Sequence, residues 1–387
     1  MSTGKPRILM ANNYDMPLQR RLWLEDEGRR PNHHLWATVQ LEAAGYPTAI
    51  IPFEPKTWLA RASEACRILG DLGQQWYAIT HMGEYDVLYA AHQNPLLLLA
   101  LARRLGLFPK PIISVLHRSY GRSPAARLFV GAFLRGYDTL MTVTREIATA
   151  MRANGTWREE RLAALPWGLD IPAFDRAISG VETDGGADRH FMSTGKTHRD
   201  FRVLVEAFRR VPDAALRVYH GTDNQAALAA RDRAGGLGRE AAGIAFHQLC
   251  FNDWREIARI NKRAYAVLVG LDLAGAAPYA NGFGLTALLD AMAAGRPIVI
   301  TRTRYPVIDV EREGIGLFVD GANPEAWADA IRFLVDNPEE AEAIGRRARR
   351  LCETTYNIET YATGVMRRID RIGAGSVSAP AVSPIHG

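Results

Sequence analysis

Short apolar, β-branched runs alternate with helix-patterned stretches along almost the whole chain, and they do so in two separate series. No other feature limits the possible folds as strongly. A strand joined to the next through a helix runs parallel to it, so this alternation predicts an α/β protein built on parallel sheets. In the first series the strand-like runs fall at residues 7–10, 48–51, 87–90, 111–116 and 139–143, with helices at 34–44 and 95–105. The second series has strand-like runs at residues 190–193, 216–219, 244–246, 266–269, 298–300 and 316–319. A length of 387 residues suits two such domains better than one. Residues 165–174 lie between the series. Pro166, Gly168 and Pro172 mark them as a linker.

Bulk properties exclude several classes. Charged residues make up 23% of the chain and hydrophobic ones 48%, which suits a globular protein rather than a disordered one. No apolar run approaches a membrane span, and the first residues lead straight into a strand without a signal-peptide core. Cys66, Cys250 and Cys352 are widely spaced and odd in number, which points to a reducing compartment. No Cys/His cluster has zinc spacing, so no metal is expected. The net charge of +5 comes almost wholly from Arg. Its distribution is uneven: residues 87–137 contain seven Lys or Arg and no acid. That interval includes Arg118, Arg122, Arg127 and Arg135 beside Leu128, Phe129, Phe133 and Leu134. Two readings of it stand: a core stripe with Arg outside, or a surface for anionic lipid. No nucleic-acid motif accompanies the charge, so no nucleic acid is expected as a partner.

Two stretches carry chemistry. In the first, Gly282 and Gly284 form a glycine loop that opens a helix over residues 285–294, stopped by Gly295 and Pro297. Unpaired N–H groups and the positive dipole end at such a helix start suit a phosphate or a sugar hydroxyl. Asp290 lies inside this helix, where Asp has poor propensity. In the second, the strand run at 190–193 ends in a turn with Gly195, Lys196 and Arg199. Two cations at the ligand edge of a doubly wound sheet suit a diphosphate, Arg as a fork and Lys as a point charge. The His117 ring ends the 111–116 strand run, and His92 ends the run before it.

These segments resemble the retaining glycosyltransferases of the family 4 type, the glycosyl transferases group 1. The tail Ala291, Met292, Ala293, Ala294, Gly295, Arg296, Pro297 matches the family's signature, with Asp290 in the place of its second acid. The first acid is absent: Gly282 or Asn281 stands there. Pro166, Gly168, Asp170 and Phe174 match the family's linker, and Leu204, Val205, Glu206, Ala207 and Phe208 match the helix after the basic turn. The resemblance implies the GT-B fold, two Rossmann-like doubly wound domains facing a cleft. It divides the chain into an acceptor domain at 1–170, a nucleotide-sugar domain at 171–355, a helix at 356–372 crossing back to the first domain, and a disordered tail at 373–387.

The resemblance also implies a function. A sugar passes from a UDP- or GDP-sugar to an acceptor hydroxyl with its anomeric configuration kept, and no cofactor is needed because the nucleotide-sugar is a substrate. His117, Lys196 and Arg199 are then the catalytic candidates. Gly195, Asn281, Gly282, Phe283, Gly284, Leu285 and Thr286 join Lys196, Arg199 and Asp290 at the donor, with helix N-termini expected at Gly195 and Gly284. The family's N-terminal glycine pair is absent, so Asn12, Asn13, His33, His34 and His92 are the acceptor candidates. The acceptor is expected to be a lipid or cell-envelope glycan, which would put the chain in the cytoplasm, peripheral on the inner face of the membrane. Two alternatives are a non-catalytic nucleotide-sugar binder and a nucleotide-sugar 2-epimerase.

Overall fold

The computed structural model describes residues 4–376, apart from 154–160, 185–187, 197, 222–223, 236–242, 274–282, 305 and 322. The chain forms two compact units. One holds the residues up to Gly28, Asn32–Pro166 and the chain from Ile358 onward; the other holds Arg29–Pro31 and Trp167–Asn357.

The first unit is a six-stranded parallel sheet of β1 (Ile8–Ala11), β2 (Thr48–Ile50), β3 (Val87–Ala90), β4 (Ile112–Leu116), β5 (Thr139–Thr142) and β6 (Leu162–Ala164). Its strand order is β2-β1-β3-β4-β5-β6. Every residue of β1, β3 and β4 is buried. Strands covered on both faces read as continuous apolar runs rather than as alternation, which is why they stand out in the sequence. The edge strand β6 was not expected. Leu162, Ala163 and Ala164 have weak strand propensity and are held by pairing to β5.

The helix expected at 34–44 is also different. A short 3₁₀ turn spans His33–Leu35, and the α-helix covers only Thr38–Ala43. Trp36 and Ala37 between them take φ of 50° and 70°, a left-handed kink that no α-helix accommodates. The last helix, Ile358–Ser376, belongs to this unit and runs four residues into the stretch expected as tail. Its Tyr361 hydroxyl lies 2.7 Å from that of Tyr89, both rings fully buried, and Tyr46 donates to Asp370 at 2.7 Å.

The second unit repeats the design with β7 (His190–Thr194), β8 (Ala215–His220), β9 (Ile244–Gln248), β10 (Ala266–Val269), β11 (Ile298–Thr301) and β12 (Gly316–Val319). The strands are parallel and ordered β12-β11-β10-β7-β8-β9. Its core joins Phe191, Leu204, Phe208, Leu216, Leu268 and Trp327. Each sheet has one point where the strand order reverses direction: between β1 and β3 in the first, between β7 and β10 in the second. In open parallel sheets the ligand crevice lies outside the carboxyl ends of the strands at that point.

The linker motif is explained by packing in the second unit. Gly168 lies against the Tyr356 backbone so closely that an added Cβ would fall 1.7 Å from its carbonyl carbon. This contact brings Leu169 N–H to Tyr356 O at 3.0 Å. Asp170 then caps the Ile171–Ile178 helix by accepting from Ala173 N–H at 3.0 Å, and Phe174 is buried.

Candidate functional site

The second unit places the basic turn at its switch point, directly after β7. Gly195 has φ of +148°, and a Cβ there would meet the Arg199 guanidinium at 2.2 Å. Only glycine lets the arginine fold back over the turn. The Arg199 side chain is buried and donates through Nε to Thr194 O at 2.9 Å. Burial pushes its pKa down to about 10, which leaves it charged at neutral pH. Lys196 is exposed, with Nζ 5.1 Å from the centre of the Phe251 ring. No helix begins at Gly195, contrary to expectation. The following helix is Phe201–Phe208, and Asp200 caps it by accepting from Val203 N–H at 3.0 Å. The aspartate fills the N-terminus that a ligand would otherwise use, so the turn offers its cations instead.

The loop after β10 is stitched to this turn. Asp200 N–H donates to Gly270 O at 3.0 Å, Asp272 N–H to His198 O at 3.1 Å, and the rings of His198 and Phe283 lie 4.1 Å apart. Next comes the Leu285–Ala294 helix, as expected. Gly284 at its N-cap has φ of +88° and makes no side-chain cap bond, while Gly295 closes it with φ of +69°. The first N–H groups of this helix are thus uncapped by side chains, beside Lys196 and Arg199 on one edge of the sheet. Leu285 is buried and Thr286 exposed; Asn281 and Gly282 lie outside the described residues. Asp290 shares the Thr286 face of the helix, one turn further on. Its carboxylate has no hydrogen bond or ion pair among the described residues, and burial pushes its pKa up to about 7. A hydroxyl donor would favour its charged form.

The first unit gathers a second cluster at the carboxyl ends of β3 and β4, next to its own switch point. The rings of His92, after β3, and His117, after β4, are 4.6 Å apart, and Trp36 lies 5.1 Å from His117. His117 Nε2 is 2.8 Å from Ala91 O, so it carries the hydrogen and donates. This leaves Nδ1 as an acceptor. Burial lowers the His117 pKa to about 4; burial, His117 and Arg118 lower that of His92 to about 3. Both rings are neutral at pH 7, so His117 can accept a hydrogen bond from a hydroxyl but does not act there as a charged acid.

The remaining candidates divide. Asn12 is buried and committed to the fold: its N–H donates to Gln74 Oε1 at 3.1 Å, its carbonyl accepts from Gln74 Nε2 at 2.7 Å, and its Oδ1 accepts from Asn13 N–H at 2.7 Å. Asn13 is half-exposed at the edge. The rings of His33 and His34 lie 4.5 Å apart, tilted by 48°, in the 3₁₀ turn. Tyr14, absent from the sequence reading, links them to the cluster: its hydroxyl donates to His34 O and accepts from Trp36 Nε1 at 2.8 Å. A Tyr in a loop leaves no motif by which it could be found. No group of three or more His, Cys, Asp or Glu among the described residues is placed to hold a metal ion.

The His92–His117 pair predicts acid sensitivity. An unfolded histidine takes up a proton near pH 6.5, whereas these two resist it until about 3 and 4. Their contribution to stability is present above pH 6.5 and is lost as pH falls toward 4, about 1–2 kcal/mol after allowing for partial exposure. Urea midpoints should decline over this range, and less steeply in a His92→Gln, His117→Gln variant. Equal slopes would remove the pair as the cause.

Residues 247–351 match the family described as glycosyl transferases group 1. The chain is 27% identical over 243 residues to a D-inositol 3-phosphate glycosyltransferase of Corynebacterium glutamicum, covering 58% of this chain and 56% of that protein. It is 32% identical over 145 residues to the protein of the same name from Corynebacterium diphtheriae, covering 37% and 32%. The chain thus spans about half the length, or less, of these curated relatives. Among solved structures, sucrose-phosphate synthase from Thermosynechococcus elongatus aligns with a TM-score of 0.68 at 17% identity, over 96% of this chain and all of that one. Anabaena Alr3699/HepE in complex with UDP aligns with a TM-score of 0.62 at 15% identity, over 94% and 100%. The fold of two parallel six-stranded sheets with interleaved helices is the one these GT-B structures share.

Proposed function

We infer that the chain transfers a sugar from a nucleotide-activated donor to an acceptor hydroxyl and keeps the anomeric configuration, a reading supported by the match of residues 247–351 to the glycosyl transferases group 1. The observation that carries this reading is the edge of the second sheet at its switch point. Two cations, Lys196 and Arg199, stand there beside the uncapped start of the Leu285–Ala294 helix. Positive charge and free N–H groups together stabilise a diphosphate, and stabilise it more as negative charge builds up on it during departure. Asp290 takes the nucleotide ribose: its unpartnered carboxylate accepts from a hydroxyl. UDP is put ahead of GDP, in line with the UDP of the Anabaena structure.

No dedicated protein base is assigned. The departing diphosphate assists removal of the acceptor proton on the face it leaves. The His117 Nδ1 lone pair holds a donor-sugar hydroxyl, so His117→Ala lowers turnover more than nucleotide affinity. A thermal-shift panel of UDP, GDP and ADP sugars tests the reading. A micromolar donor at 100-fold excess over Kd should stabilise the chain by roughly 2.7 kcal/mol. No shift with any of them would overturn it. The missing first acid favours one other reading, a nucleotide-sugar binder without turnover. Release of nucleoside diphosphate with time separates the two.

The chain is assigned to an anionic membrane surface through the Pro124–Ala132 helix. No helix among the described residues is long and apolar enough to cross a membrane. In this helix Val130 is buried, while Arg127 is exposed and Leu128 is 74% exposed. Each arginine near an anionic surface contributes on the order of 1 kcal/mol, and salt weakens it. Sedimentation with vesicles should need anionic lipid and should fall in an Arg122→Glu, Arg127→Glu variant. No sedimentation at low salt leaves a water-soluble acceptor.

A further inference from the structure

The first unit has a cavity of about 510 Å³ between the Trp58–Ala65 and Leu72–Thr80 helices and the loop after β2. None of the motifs points to it, and only Asn13 connects it with the acceptor candidates. Three aromatic rings line it: Phe53, Trp76 and Tyr77. Trp76 is 59% exposed and Phe53 36% exposed, so among the described residues large apolar faces stand uncovered. Single exposed aromatic side chains are ordinary, but two of them beside the half-buried Tyr77 around one cavity are not. The Tyr77 ring is held in place by His81, stacked at 3.9 Å with only 10° between the planes.

Two carboxylates share the cavity. Glu54 and Glu64 both line it, and neither carboxylate has a hydrogen bond or ion pair among the described residues. Among the described residues no Lys or Arg lines the cavity. A third acid, Asp71, is already occupied: its two oxygens accept from Gln74 N–H at 3.0 Å and Gln74 Nε2 at 2.7 Å. The same Gln74 holds the Asn12 backbone in both directions, so the wall of the cavity is tied to the carboxyl end of β1. One end of the cavity therefore reaches Asn13, at the switch point between β1 and β3.

We propose that this groove is an acceptor subsite for the ring of a neutral sugar or cyclitol, and that it selects against a phosphorylated one. The role as acceptor rests on the glycosyl-transfer reading; the chemistry of the ligand rests on the groove itself. Aromatic faces suit the C–H face of a sugar ring, and free carboxylates accept hydrogen bonds from its hydroxyls. Carboxylates with no cation beside them repel a phosphate, which is how a site rejects a competitor that otherwise fits. The acceptor therefore differs in charge from the inositol phosphate in the names of the curated relatives.

Saturation-transfer NMR on the full chain tests this with methyl glucoside and myo-inositol as neutral probes and glucose 6-phosphate as the anionic one. Both neutral probes should bind, and glucose 6-phosphate should bind at least about tenfold more weakly. Trp76→Ala, a change at an exposed ring, should weaken the neutral probes by about tenfold or more. A Glu54→Gln, Glu64→Gln variant should keep most neutral binding, because the amide oxygens still accept, and should gain glucose 6-phosphate because the repelling charge is gone. Equal or tighter binding of glucose 6-phosphate by the unaltered chain, neutral binding unchanged in Trp76→Ala, or no binding of either neutral probe would each overturn the proposal. UDP calorimetry on the same samples keeps the two ideas apart. Intact UDP binding with any of these outcomes removes the groove and leaves the transfer reading standing.

Discussion

Lys196→Ala should weaken UDP and a UDP-sugar by the same factor, about 10- to 100-fold, without disturbing the fold. The lysine is exposed, with its ammonium over the Phe251 ring, so its loss removes a charge rather than a packed group. A hydrogen bond to a charged group contributes about 1.5–3 kcal/mol, which sets the range. The equal effect follows because the sugar lies beyond the diphosphate. Arg199→Ala should cost at least as much and also loosen the turn, since this side chain is buried and holds Thr194 O. Arg199→Lys should not rescue it, because a single ammonium cannot reproduce both the Nε–H bond and the remaining forked donors. Calorimetry with both nucleotides reads the result. Unaltered affinity in Lys196→Ala would remove the diphosphate from this edge.

Gly168→Ala should destabilise the second unit by roughly 3 kcal/mol or more. The new Cβ would collide with the Tyr356 backbone, and backbone cannot rotate out of the way as a side chain can. Moving it breaks the Leu169–Tyr356 hydrogen bond and shifts the Asp170 cap, each about 1 kcal/mol. Gly131→Ala is the control. It lies within the Pro124–Ala132 helix with open space around it and should stabilise by roughly 0.5–1 kcal/mol. Urea unfolding of the two variants should move in opposite directions. A Gly168→Ala chain as stable as the unaltered one would show that the contact is easily relieved.

Gly168 also shows why some of the molecule can be read from sequence. A residue that must be glycine, a capping aspartate and a buried phenylalanine leave a fixed spacing, so the linker was visible before its packing was known. The buried strands were visible for a similar reason: β1, β3, β4 and β10 are covered on both faces and must be apolar throughout. Short β6 carries no such constraint, and the left-handed pair at Trp36 and Ala37 uses residues with no preference for that conformation. Among candidate site residues, Gly195, Lys196 and Arg199 share one short turn, and Gly284 and Asp290 share one helix segment, which is why a motif marks each set. The cluster around His117 is different. It draws Tyr14, Trp36 and His92 from three separate segments that only the strand order brings together. The groove of Phe53, Trp76 and Tyr77 likewise comes from short helices and a loop, with no periodicity to announce it.

NMR of the reaction decides whether the chain transfers sugar with retention. The chain is incubated with UDP-sugars of known anomeric configuration and with neutral polyol acceptors, and the new linkage is read from its anomeric coupling. Release of UDP is expected together with a product whose anomeric centre has the configuration of the donor, and at limiting donor both signals should grow about 10- to 100-fold more slowly in Lys196→Ala. An inverted product would contradict the mechanism, and binding of donor with no UDP release would contradict the transfer itself.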